Sequence, residues 1–204
     1  MEKIDVNMYC DNRYCPERSV HFGKRKRFDK AKSEFDRQTV KKEKIVEWTN
    51  EFLKACGLEI CPDENIVYTE NIQLDNFTKN IQKKYPKITS EKDIIWMKFT
   101  NEKYLGVVAC SNDINFDIPS NESEYDKPEK IVDGKIKSWT FNTSGIIIHS
   151  LHQEWDTSYF LLFPLIGLSD DEEGKKMRHR IETGVGNYLI SKGVPILDFY
   201  SHRL

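Results

Sequence analysis

The sequence predicts an α+β fold, with α/β order at its C-terminal end: a central mixed, largely antiparallel sheet of about seven strands, a long N-terminal helix and a C-terminal helix–strand unit. Three observations predict it. A long segment from Phe28 to Cys56 contains neither Pro nor Gly and carries apolar residues at helical spacing. The middle of the chain, from Asp93 to Leu151, alternates β-rich runs with turn residues. The C-terminal part reads strand, helix, strand from Tyr159 to Tyr200. With 204 residues, 38% hydrophobic and 12% aromatic, the chain fits one domain, 1–204, that can bury a substantial core.

Lys3 to Cys10 alternates Ile4, Val6 and Met8 with Asp5, Asn7 and Tyr9, the pattern of a half-buried strand. The helix from Phe28 to Cys56 has a thin stripe in its first half (Phe28, Ala31, Phe35). Its second half is fuller, with Ile45, Trp48, Thr49, Phe52, Leu53 and Cys56 on one side and Gly57 as its stop. Ile66 to Thr69 reads as a short strand. Leu74 to Tyr85 reads as a helix with Leu74, Phe77, Ile81 and Tyr85 inward, ended by Pro86.

Asp93 to Thr100 and Tyr104 to Cys110 form an expected hairpin around Asn101-Glu102-Lys103. Lys135 to Phe141 and Ile146 to Leu151 form a second one around Asn142-Thr143-Ser144-Gly145. Between them, 111–133 holds seven acids against two lysines and is expected to be a mobile acidic loop. Tyr159 to Leu165 is continuously apolar, as in a strand buried on both faces. Ser169 and Glu172 suit a capping box for a helix ending at Gly193, and Val194 to Tyr200 then reads as a strand. This order predicts a crossover that sets two parallel strands side by side.

Charge and cysteine content bound the class. With 31 Lys and Arg against 33 Asp and Glu, the net charge is −2, so a uniformly basic nucleic-acid binder is excluded. No apolar run approaches the roughly twenty residues of a membrane span, and the first thirty residues hold no secretory h-region. Five cysteines, an odd set without a leader, fit reduced thiols, and a cytoplasmic location is expected.

Four clusters are candidates for chemistry. His149, His152 and Glu154 lie in a polar run beside Trp155, and such groups serve as acid, base or metal ligands near neutral pH. Cys10 and Cys15 enclose four residues, as do Cys56 and Cys61, so four thiolates could close a zinc site if the two segments met. Lys24 to Lys44 carries ten basic and four acidic residues, net +6, and Lys24, Arg25, Lys41, Lys42 and Lys44 are its candidate anion contacts. Arg178, Arg180 and His202 are candidate anion contacts near the C-terminal end, beside Gly184 and Gly186. Each glycine costs a helix about 1 kcal/mol relative to Ala, so the two mark a break or a close approach, of which close packing of helix on sheet is the simpler. Cys110 has no base beside it in sequence.

Two functions follow as expectations. The first is a cytoplasmic binding or regulatory module that engages a nucleic acid or an acidic protein partner through the basic helix, with no membrane contact. The second is a small hydrolase or nucleotide-processing enzyme for a phosphate-bearing substrate, with zinc or another divalent metal as its candidate cofactor.

Overall fold

The computed structural model of the chain describes residues 3–11, 40–59, 79, 83, 93–100, 105–113, 129–132, 135–138, 155–194 and 196. Among them, three helices and two antiparallel sheets give an α+β architecture. The helices are α1 (Val6–Asp11), α2 (Lys42–Ala55) and α3 (Glu172–Ser191). The strands are β1 (Ile94–Thr100), β2 (Leu105–Ser111), β3 (Glu129–Val132), β4 (Lys135–Ser138) and β5 (Trp155–Pro164).

The expected sheet of about seven strands is corrected to a three-stranded antiparallel sheet, in the order β2-β1-β5, and a separate β3-β4 pair, among the described residues. The long-range pairing decides this. β1 aligns Ile95 with Cys110 on one side and with Phe163 on the other, and Met97 with Val108 and Leu161. Directly opposed residues share a face, so these six side chains form one apolar surface on which the helices pack. The opposite face, with Ile94, Val107 and Leu162, is buried as well. A sheet covered on both faces needs largely apolar strands, and β1 and β2 are so composed, with Lys98 the one buried charge in β1.

Several local expectations change. Lys3 to Cys10 is not a strand. Asp5 accepts a hydrogen bond from the Met8 amide (3.3 Å), capping α1, and the i, i+3, i+4 set Val6, Tyr9 and Cys10 turns toward the core. The helix expected from Phe28 begins at Lys42, because Lys41 is extended (ψ 135°) and its carbonyl accepts the first helical bonds from Lys44 and Ile45. Its buried residues, Ile45, Thr49, Phe52 and Leu53, belong to the fuller half of the sequence stripe. Residues 28–39 lie outside the described residues, as do 66–69 and most of 74–85, of which Lys79 and Lys83 are helical.

The strand Lys135–Ser138 pairs with Glu129–Val132 across Asp133-Gly134, so the end of the expected acidic loop is a strand. The expected partner 146–151 lies outside the described residues. The Asp171 side chain caps α3 by accepting from the Gly174 amide (2.9 Å), while Ser169 donates to Asp171 (2.6 Å); Ser169 therefore supports the cap instead of forming it. A side chain at 174 would drive its Cβ to 1.8 Å from the Ser169 carbonyl oxygen, which fixes glycine there.

The crossover is wider than expected. Ile196 bridges Leu105 of β2 in parallel, whereas β5 lies on the far side of β1. The two parallel segments are therefore at opposite edges of the sheet, not side by side.

Candidate metal centre

The centre joins one strand to one helix. Cys110 is the penultimate residue of β2. It belongs to the core-facing row of the sheet, opposite Ile95, and its thiol lies under α3. On α3, His179 and Glu182 stand three residues apart and therefore on one face. Register and helix docking bring these three residues together across a long separation in sequence.

The Cys110 sulfur lies 3.3 Å from His179 Nδ1 and 3.1 Å from Glu182 Oε2, and the last two atoms are 3.4 Å apart. All three candidate ligand atoms fall within 4.8 Å of one another. Ligand atoms bound to a tetrahedral zinc at about 2.0–2.3 Å stand about 3.3–3.6 Å from each other, so this triangle needs adjustments of only a few tenths of an ångström. The set is graded in exposure: the His179 side chain is 59% exposed and that of Glu182 17%.

Electrostatics keep the Cys110 thiol protonated in the metal-free protein. Burial pushes the Cys110 thiol well above the ordinary range, and the charge and hydrogen bond of Glu182 push it further, with Arg178 opposing. Burial also raises the Glu182 carboxyl, against the hydrogen bonds from Cys110 and His179. A protonated thiol is a poor nucleophile. Moreover, Cys110 and Glu182 approach the same ring nitrogen, so the carboxylate does not support the imidazole from its far side as a nucleophile–base–acid relay requires. Convergence on one point is ligand geometry.

Beside the centre, Asp93, Asn112, Asp113, Ser169, Asp170, Asp171, Glu172, Lys175 and Arg178 line an open cleft of about 660 Å³. Arg178 belongs to both places. It lines the cleft, pairs with Asp93 and acts on the Cys110 thiol.

The residues expected from the sequence fall as follows. His149, His152, Glu154, Lys24, Arg25, Cys15, Cys61 and His202 lie outside the described residues. Lys41, Lys42 and Lys44 stand at the start of α2, where Lys44 pairs with Glu47 (2.7 Å) and Lys42 with Glu43 (3.8 Å). Arg178 is buried against Asp93, and Arg180 takes Asp11 in a two-pronged grip (2.8 and 2.5 Å). Of the four cysteines, Cys10 is buried in the core and Cys56 packs half-buried against that same core, both as free thiols. Gly184 marks a close approach to helices instead of to the sheet: a Cβ there would sit 2.6 Å from both Cys10 Sγ and Phe52 Cζ.

The Cys110–His179–Glu182 cluster itself escaped sequence reasoning. Its one local signal is His-x-x-Glu on a helical stretch, which is common on solvated helix faces. No protein-family model matches the chain, and no similarity to a curated protein or a solved structure is found.

Proposed function

We propose that the chain is a metal-dependent hydrolase whose ion is held by Cys110, His179 and Glu182. The observation that carries this reading is the convergence of a sulfur, an imidazole nitrogen and a carboxylate oxygen at separations of 3.1 to 3.4 Å. This mixed soft and borderline donor set suits zinc, and three protein ligands leave a fourth position for water. Bound zinc would lower the pKa of that water to about 7 and supply a hydroxide nucleophile at neutral pH. The His179 side chain is the exposed member of the set, so a bound ion would be reached from its side.

The chain's own groups set what can approach. The cleft beside Arg178 carries Asp93, Asp113, Asp170, Asp171 and Glu172 against Lys175 and Arg178. Arg178 and Arg180 are engaged by Asp93 and Asp11. The proposed substrate is accordingly neutral or cationic, in place of a phosphate-rich one.

The test is metal stoichiometry by plasma mass spectrometry after chelator stripping and zinc reloading, followed by turnover on generic ester, amide and phosphoester substrates. The expected result is one zinc per chain, bound at least about tenfold more weakly in Cys110→Ser and in Glu182→Gln. Turnover should require zinc. Zinc binding that ignores both substitutions overturns the site, and zinc binding without any zinc-dependent turnover overturns the hydrolase. Nucleic-acid binding abolished by charge reversal at Lys41, Lys42 and Lys44 would favour the binding module instead.

A further inference from the structure

We infer that the cleft beside the metal centre is a subsite for an ammonium group next to a carbonyl, so that the substrate is an amide or ester whose acyl part carries a free amine, such as the amino terminus of a peptide. This deepens the hydrolase reading and rests on it for the bond that is cut, while the binding itself stands apart from it. The same two elements build the cleft and the centre. Asn112 and Asp113 follow Cys110 at the end of β2, and Lys175 and Arg178 precede His179 on α3. A ligand in the cleft therefore lies next to the three metal-binding side chains.

One buried donor in the cleft wall is unsatisfied. Arg178 lines the cleft at 6% exposure, its Nη1 bonds Asp93, and its Nε–H has no hydrogen-bond partner. Asp93 is itself held at both ends of its backbone, by the Asn112 carbonyl (2.6 Å) and the Leu165 amide (2.8 Å), so the guanidinium is anchored. A buried donor left without an acceptor is costly, and a ligand that brings an oxygen to it removes that cost. Because the donor is already in place, little ordering is needed on binding.

Charge selects the rest of the ligand. Five carboxylates share the wall with two cations, and both cations are matched within it, Arg178 by Asp93 and Lys175 by Glu172 (3.9 Å), so a negative charge remains. A carboxylate or phosphate is repelled there, whereas a neutral carbonyl oxygen can reach the Arg178 Nε–H and an ammonium is drawn to the acids. An aminoacyl group carries both on neighbouring carbons. The cleft, at about 660 Å³, is the size of a small-molecule site and far larger than a bare cation needs. Nor do its acids converge as metal ligands do: among the described residues, only Cys110, His179 and Glu182 form such a group. Cleavage consumes one water, whose oxygen bonds to the carbonyl carbon as the C–N or C–O bond breaks. The leaving amine or alcohol takes one proton, and nothing is oxidised or reduced.

The experiment titrates the full-length protein, with and without zinc, by calorimetry with leucinamide and three analogues. N-acetylleucinamide lacks the ammonium, 3-methylbutylamine lacks the carbonyl, and leucine adds a carboxylate. Leucinamide should bind at least about tenfold more tightly than each of them. Arg178→Lys keeps a cation for Asp93 but not the Nε–H, and should lose the preference for leucinamide over 3-methylbutylamine. Asp113→Asn and Asp170→Asn, at half-buried and exposed positions where folding is spared, should weaken leucinamide by about twofold to fivefold and leave N-acetylleucinamide unchanged. Absence of leucinamide binding, equal binding of N-acetylleucinamide, or an unchanged preference in Arg178→Lys would each overturn the inference. Zinc-dependent cleavage of acetylated substrates without leucinamide binding leaves the hydrolase and removes this subsite. Selective leucinamide binding without cleavage of leucine p-nitroanilide keeps the subsite and removes the hydrolase.

Discussion

The Arg178 guanidinium, on the second turn of α3, closes on the carboxylate of Asp93, the residue that precedes β1. The two side chains are only 7% and 10% exposed. Asp93 also joins three strand ends: its amide donates to the Asn112 carbonyl (2.6 Å) and its carbonyl accepts from Leu165 (2.8 Å). It does this at φ +62°, a left-handed conformation that Asp tolerates better than most residues. One ion pair therefore fixes α3 over the sheet and, through Arg178, positions the side of the Cys110 cluster.

Removing one partner of this pair leaves a buried charge alone. Asp93→Ala should destabilise the protein by about 3–5 kcal/mol in denaturant unfolding. The double variant Asp93→Asn/Arg178→Met should lose much less than the sum of the two single changes, because it leaves no orphan charge.

Gly184→Ala should also destabilise, by about 1–3 kcal/mol, despite the better helix propensity of Ala. The added Cβ would press on Cys10 Sγ and Phe52 Cζ at 2.6 Å, and Phe52 is fully buried between Tyr9 and Tyr188. Thermal melts of the variant and wild type check this.

Zinc binding should release protons. The Cys110 thiol is raised by burial and by Glu182, so it is protonated at neutral pH and must lose that proton to ligate. Affinity should rise with pH, by about tenfold per unit for each proton displaced. Calorimetry in buffers of different ionisation enthalpy measures the number, and Cys110→Ser should lower it.

The α3 cap predicts an acid limb. The hydrogen bonds from Ser169 and the Gly174 amide hold the Asp171 carboxyl below its ordinary value. Its contribution is thus complete above the unfolded carboxyl pKa, about 3.9, and is lost as pH falls through the lower folded value. Asp171→Asn, which keeps an acceptor without the charge, should unfold with a shallower dependence on pH in the acid range.

Local chemistry was legible wherever one segment decides its own shape. Gly57 and Gly193 end their helices at positive φ, as their places after the apolar stripes imply. The hairpin of β1 and β2 and the apolar second half of β5 follow from β-rich runs and their turns. At Lys3 to Cys10 the same residues satisfy two periods, since Val6 and Met8 alternate while Val6, Tyr9 and Cys10 lie on one helical face. Only docking on α3 chooses between them, by burying Cys10 and pairing Asp11 with Arg180.

What the residues settle alone is helix termini, turn positions and apolar faces, because these depend on torsions and contacts within a few residues. Sheet order, the partners of Arg178 and Arg180, and the meeting of Cys110 with His179 and Glu182 belong to the folded chain. Those contacts join positions 69 to 169 residues apart, and no spacing rule reaches that far. They form because burying one sheet face and one helix stripe together leaves a single arrangement in which the charged groups between them are paired.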